Sequence, residues 1–495
     1  MKIFRALMLS ALLALPASHA MASEGSLTIG RAISTNAMDP GFLREAATIV
    51  DNIFDTLVLR DTDMKLVPGL AESWTAIDDT TWEFKLRSGV KFHNGEAFDA
   101  DAVKFTIDRI LDPDAKSPTI SYIRTIKSVE VVDPSTVRIM TNGPDPLLPT
   151  RMSRYPTYIV PPKYIEEHGK DYFASHPVGT GAYKFVEFVP DERVVMEANP
   201  DYWRGEPSIK TVTWRPIPDS TARLTALVTG EVGMIEDVPV DLVSMLDQSP
   251  DVDVVKIKNG GLTIYLGLVM KTPPLDNVKV RQALNIAIDR KGITENLLGG
   301  FATPKGSQVG PSDFGYLDVP VAEYNPEKAK ALLAEAGFPD GFEITMQSSY
   351  RYMKNDAVAQ AIAQEFEDIG IKVKQDVMEW SVYTQTVPFK GPIYMLGWGS
   401  TQTLDADAAI YAIMKSGEPY SGANIPELDA LLDESRATVD PAKREAILHK
   451  IQEVAAEQVP LITLYQEDKL MGKAKGVHFD GRPDARIPIY DITMD

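Results

Sequence analysis

Apolar positions recur along this chain at two different periods, and the period changes from one region to the next. In the later half, Asp356-AVAQAIAQEFEDIG sets Val358, Ile362, Phe366 and Ile369 at helical spacing, and Ile371-KVKQDV then alternates as a half-buried strand does. Just upstream, in Asn325-PEKAKALLAEAGFPDGFEITM, Asn325 reads as N-cap, Pro326 as the first helical residue and Gly337 as the residue past the end. A strand from Phe342 to Met346 follows, and strand, helix, strand in this order predicts a crossover unit and an α/β layer. The earlier half is different: Thr81-WEFKL, Ser128-VEVVD, Thr136-VRIM, Tyr183-KFVEF and Arg193-VVMEA are short runs rich in β-branched and aromatic residues between turn residues. A boundary is expected near Asn259-Gly260-Gly261, where glycine absorbs a bend between domains.

One stretch invites a chemical reading. Val90-KFHNGEAFDADAVKFTIDR puts His93 three residues before Glu96, beside three aspartates. Asn94-Gly95 is a strong turn signal, so His93 and Glu96 flank a chain reversal instead of sharing a helix face. Asp99 then caps a helix with Ala102, Val103, Phe105, Ile107 and Ile110 on its apolar face. The stretch reads as architecture. Glu166-EHG reads in the same way, as the end of a surface helix begun after Pro162.

The first residues change the picture of where the protein works. Lys2 and Arg5, an apolar run from Ala6 to Leu15 and small residues up to Ala22 predict a secretory signal peptide, residues 1–22. The run is far shorter than the roughly 20 apolar residues of a membrane span. There is no cysteine, which removes disulfides, a thiol nucleophile and an acylated N-terminal cysteine. A freely diffusing periplasmic protein without a lipid anchor is therefore expected. Loss of Lys2 and Arg5 takes the net charge from −20 to −22, which argues against binding nucleic acid or anionic lipid.

Catalytic signatures do not appear. No G-x-S-x-G, H-E-x-x-H or P-loop pattern occurs, and His93, His168, His176, His449 and His478 are scattered without ligand spacing. Neither a metal nor a cofactor is expected. An exported hydrolase remains the competing class, through distant residues brought together by folding.

Several stretches together resemble one family over nearly the whole mature chain. They are Leu66-VPGLAESW, Phe84-KLRSGVKFHNGEAFDADAVKFTIDRI, Pro177-VGTGAYKFVEF, Asn199-PDYWRG, Pro274-LDNVKVRQALNIAIDR, Asn325-PEKAKALLAEAGFPDGF and Gly397-WG. In number, order and spacing they are similar to the extracytoplasmic solute-binding proteins of ABC importers, family 5, the cluster of dipeptide, oligopeptide, nickel and opine binders. The resemblance implies an α/β fold, the two-lobed periplasmic binding protein fold of class II type, with an extra β-rich domain inserted in the first lobe. Lobe one would comprise residues 23–45, 176–260 and 473–495, the inserted domain 46–175, and lobe two 261–472. Ligand would bind between the lobes, which close on it. The implied partners are a peptide or other small solute and the inner-membrane permease, with the chain acting as a monomer. A receptor coupled to chemotaxis or a chaperone-like binder needs the same cleft and stays open as an alternative.

The site residues follow from the same resemblance. Trp398 and Gly399, in Leu396-GWGSTQTLDADAAI, fall in a loop that the family places at the pocket. Peptide binders of the family carry an aspartate three residues after this tryptophan, where it receives the peptide amine; here that position is Thr401. Either Asp405 or Asp407 replaces it from the same loop, or the ligand lacks a free α-amine; both aspartates suit a helix cap equally well. Arg351, in Ser348-SYRYMKND, falls where dipeptide binders hold a carboxylate, for which a guanidinium fork is suited. Asn36, after the first strand of lobe one, and Tyr122 and Tyr383 complete the expected set. Non-peptide ligands remain open: a nickel chelate, an opine or sugar conjugate, or an oligosaccharide.

Overall fold

The computed structural model describes residues 25–43, 47–386, 389, 391–399 and 403–495; the expected signal segment, residues 1–22, lies outside them. Two mixed sheets carry the molecule. The first has seven strands in the order Val252–Ile257, Lys469–Ala474, Met234–Glu236, Ser26–Arg31, Thr211–Pro216, Arg193–Ala198 and Tyr183–Val189. The second has six, in the order Ala302–Pro304, Leu461–Glu467, Thr263–Leu268, Ile393–Trp398, Glu343–Ser349 and Lys372–Met378. All six residues of Thr263–Leu268 are buried, as expected of a central strand with both faces covered.

The crossover unit forms as its periodicity predicts. Glu343–Ser349 and Lys372–Met378 pair in parallel from Glu343 opposite Lys372 onward. Between them the helix Asn355–Asp368 buries Val358, Ile362 and Phe366. The preceding helix, Pro326–Glu335, is capped by the Asn325 side chain, which accepts from the Lys328 amide at 2.9 Å. Gly337, at φ 92°, turns the chain out of that helix in a conformation that favours glycine.

A third layer is a four-stranded antiparallel sheet, Ala71–Asp78, Thr81–Leu86, Thr136–Thr141 and Ile126–Asp133, covered by the helix Ala100–Leu111. Asp99 caps that helix, accepting from the Ala102 amide at 3.2 Å. The core of this layer draws on residues from Leu57 to Ile159. Ile49, Phe54, Tyr155 and Phe173 pack instead in the core of the seven-stranded sheet. Phe105 points to that second core, which makes its helix a strut between the two.

Two chain segments connect the large sheets, side by side. One runs from Ile257 through Asn259, Gly260 and Gly261 to Thr263, and the other from Glu467 through Asp468 to Lys469. Lys469–Ala474 pairs with Val252–Ile257, so the chain re-enters the first sheet at Lys469, ahead of the expected residue 473. Gly261 donates its amide to the Glu467 carbonyl at 2.8 Å and Glu467 returns one to Leu262 at 3.0 Å. A Cβ on Gly261 would lie 2.8 Å from the Cβ of Glu467, so the closeness of the segments requires glycine there.

His93 belongs to this architecture. Its Nδ1 accepts from the Gly179 amide at 3.3 Å, and its Nε2 lies 2.9 Å from the Gly181 carbonyl, to which the neutral ring donates. Burial pushes the imidazole down from 6.5 to about 4. Between those values the unfolded chain takes up a proton that the folded chain does not, so stability falls as pH drops through that window. The expected loss is up to roughly 3 kcal/mol. Denaturant midpoints measured from pH 7 to 4 should fall less steeply for His93→Gln than for the native chain; equal slopes would remove His93 as the cause.

Candidate functional site

Where the paired segments cross, the two lobes enclose a cavity of about 710 Å³. Ile33 and Glu236 face it from the first lobe, Gly261 and Glu467 from the crossing, and Arg351 and Tyr352 from the second lobe. Arg351 follows the strand Glu343–Ser349, is exposed to the cleft, and lays its guanidinium 4.9 Å from the centre of the Trp380 ring. It makes no ion pair with any described residue. Tyr352 is buried beside it, edge-on to Trp380 at 5.9 Å, and fills the space over Gly397 that a side chain there would need.

Glu467 faces the cleft from the crossing, partly buried. One carboxylate oxygen accepts from the Met353 amide at 3.0 Å. Burial pushes the acid up from 4.5 to about 7, against the smaller opposing effects of that hydrogen bond and of Lys469. Glu236 lies 3.6 Å from Arg31, behind the first-lobe wall, where burial outweighs the arginine and raises the acid. Arg31 itself keeps Nε and Nη1 buried without a hydrogen-bond partner.

Of the residues expected from sequence, Arg351 lies in this cavity. Trp398 ends its strand half-buried, but its indole N–H donates to the Ala408 carbonyl at 2.8 Å and its ring packs on Tyr420, 5.0 Å away. Its donor is therefore spent inside the protein. Gly399 follows it, half-buried, and Thr401 lies outside the described residues. Asp405 is not free to receive an amine: it caps the helix Ala406–Met414 and holds Arg444 through two bonds of 2.8 and 2.7 Å. Asp407 is engaged in the same manner by Arg436, at 2.6 and 2.9 Å. Tyr383 is fully buried and donates to the Met395 carbonyl at 2.7 Å, which makes it a core residue. Tyr122 packs against Tyr155 with the Arg154 guanidinium 4.5 Å from its ring centre, between the first-lobe core and the inserted layer. Asn36 is exposed beyond the first strand and does not line the cavity.

A second cavity, about 480 Å³, opens between the inserted layer and the second lobe, with Trp74 and Trp82 on one side and Phe314 and Leu404 on the other. Several of its charged groups are engaged within the protein. Arg444 holds Asp405, and Arg60 reaches across from the inserted layer to the carbonyls of Met64 and Thr403. Among the described residues no group of three His, Cys, Asp or Glu side chains is placed to hold a metal ion. No helix among them is long and apolar enough to cross a membrane.

Residues 65–421 match the family described as bacterial extracellular solute-binding proteins, family 5 Middle. The chain belongs to that family. It is 31% identical over 461 residues to the glutathione-binding protein GsiB of Salmonella paratyphi A, with 90% of each chain covered. The structure of HbpA2 from Haemophilus parasuis superposes with a TM-score of 0.87 at 26% identity, over 95% of this chain and all of that one. The Helicobacter pylori protein DppA, in complex with the peptide STSA, gives a TM-score of 0.76 at 27% identity, over 95% and 98%. These neighbours share the two-lobed fold.

Glu467 escaped the sequence reading for one reason. With the second crossing expected near residue 473, the glutamate that closes the apolar strand Leu461–Glu467 fell inside lobe two, away from the expected crossing. A carboxylate ending a buried run and followed by Asp468 and Lys469 is the signal that was there to read.

The commitments of Asp405 and Trp398 are measurable. Asp405→Ala strands the Arg444 charge and should cost about 3–5 kcal/mol of stability, while solute affinity of the folded protein stays unchanged. Trp398→Phe should cost about 1 kcal/mol, the worth of one internal hydrogen bond. Chemical denaturation paired with calorimetric titration separates the two quantities; a loss of affinity at native stability in either variant would move that residue into the site.

Proposed function

We propose that this chain is the periplasmic receptor of an ABC importer, which captures a peptide or peptide-like solute between its lobes and presents the closed form to the inner-membrane permease. The observation that carries the reading is Arg351, a guanidinium on an aromatic shelf with no ion pair among the described residues, facing a cavity that both lobes line. A fork of this kind takes a carboxylate through two parallel hydrogen bonds. Because the opposite wall belongs to the other lobe, a solute bound there contacts both and favours the closed hinge by its extra contacts. The named ligands of the relatives agree with a peptide: glutathione for GsiB and STSA for DppA. Export by the N-terminal signal, free diffusion in the periplasm, action as a monomer and the lack of catalysis belong to the same reading. Importer subunits need no chemistry beyond binding and release.

One observation favours a ligand without an α-amine at the Trp398 loop. Thr401 stands where peptide binders have their carboxylate, and Asp405 and Asp407 are both held by arginines. An opine or other amino-acid conjugate would present its acid to Arg351 without needing that loop.

Mass spectrometry of the small molecule released on denaturing protein purified from the periplasm decides between the two: a peptide supports the first reading and a conjugate the second. Release of a neutral oligosaccharide would overturn both. Arg351→Ala should weaken binding of the identified solute by about 100-fold or more while leaving the thermal midpoint within a degree or two, because the guanidinium contributes to ligand and not to fold. Calorimetric titration checks this, and an unchanged affinity would take Arg351 out of the site.

A further inference from the structure

The charges around the cavity can be taken one at a time, and nearly all are answered within the protein. Glu236 faces Arg31, Asp237 holds Lys469, and Asp484 holds Arg482 at 3.0 Å. Asp468 accepts the Asn259 amide at 2.9 Å and lies on the side of Lys258. Among the cations, Lys469 is taken by Asp237, and Arg223 is saturated by the carbonyls of Ile217, Pro218, Glu236 and Asp237. Two groups of opposite sign remain. Among the described residues, Arg351 is at the second-lobe wall with the Trp380 ring against it and no ion pair, and Glu467 is at the floor with one oxygen on the Met353 amide and no cation in ion-pair reach.

We infer that the floor of the cleft is a subsite for the ammonium group of the solute, with the Glu467 carboxylate as its acceptor and Arg351 holding an acid group of the same molecule. The inference rests on the solute-binding reading of the cleft and adds the ligand class: a zwitterion, with its amine directed to the crossing of the chain and not to the Trp398 loop. The physical reason is the cost of a carboxylate in a site of low polarity. Without a counterion, burial favours the protonated acid and pushes the group up to about 7. An ammonium supplies the missing charge and can donate to the oxygen that Met353 leaves free, whereas an amide or hydroxyl supplies no charge. The same arrangement explains how the family's usual aspartate can be absent from the loop without excluding peptides. Gly261 touches the backbone of Glu467, so this charge lies where the two lobes are joined.

The test is calorimetric titration of the full mature chain with trialanine and reduced glutathione, each also in its N-acetylated form. For the native protein the free-amine probes should bind about 100-fold more tightly than the acetylated ones, the scale expected for loss of one partner of a buried charge pair. In Glu467→Gln, which keeps an acceptor for the Met353 amide, the two forms should bind within about threefold of each other. Binding at pH 6, repeated in buffers of different ionisation heat, should release close to one proton from the native protein and none from the variant. The neighbouring Asp468, Glu236, Asp237 and Asp484 and the cations Lys469 and Arg351 are present in both, so the difference belongs to Glu467. Should the variant fail to fold, acetylation and proton release in the native protein still decide. Equal binding of free and acetylated probes, or discrimination that survives in the variant, overturns the subsite while the peptide reading stands. No binding by any of the four overturns both.

Discussion

Two short stretches of backbone, held together by hydrogen bonds between Gly261, Leu262 and Glu467, join the sheets of this protein. The pairing is continuous with the sheets on either side, since Val252–Ile257 lies beside Lys469–Ala474 in one and Thr263–Leu268 beside Leu461–Glu467 in the other. The lobes are thus linked by a ribbon and not by a flexible tether. A ribbon of this kind can bend and twist but cannot let the lobes separate, which restricts them to opening and closing over one cleft. Side chains next to the ribbon move least relative to each other when the lobes turn, which makes its surface a fitting floor for a binding site.

The distribution of charge in the cleft follows from that geometry. Groups anchored deep in one lobe, such as Glu236 with Arg31 or Arg223 with its ring of carbonyls, find partners in their own lobe and serve the fold. Groups at the junction have neighbours from both sides but cannot depend on either in every hinge state. Glu467 stands at this junction and Arg351 on the second-lobe wall, and in the proposal above one solute with complementary charges would complete both. Under that proposal, contacts that the solute adds from the first-lobe wall would be available only with the lobes together, and would couple binding to closure.

The loop after Trp398 shows the opposite outcome. Its aspartates look available in a linear reading, yet Arg444 and Arg436, which come from later helices, neutralise them. Each aspartate then secures the start of the helix Ala406–Met414 to the helices that pack on it. A carboxylate in a buried position is more economically satisfied by a permanent cation than by a transient ligand, and here the permanent cation has taken it.

Much of the fold is local and was therefore legible. The N-caps at Asp99 and Asn325, the strand, helix, strand unit from Glu343 to Met378, and the architectural role of His93 depend on residues a few positions apart, whose spacing and turn chemistry a linear chain displays. The position of Arg351 beside the cleft was expected through resemblance, because its motif is contiguous. What the chain alone could not disclose is which distant partners meet. Asp405 and Arg444 are 39 positions apart, and Gly261 and Glu467 meet across the whole of the second lobe. Tyr383 turned inward to a carbonyl of the strand Ile393–Trp398, and the donor of Trp398 to a carbonyl of the helix Ala406–Met414, partners that only the fold brings near. Local sequence determines which elements form and where they begin; which polar groups are neutralised, and which are left for a ligand, is decided only when packing brings charges together from remote parts of the chain.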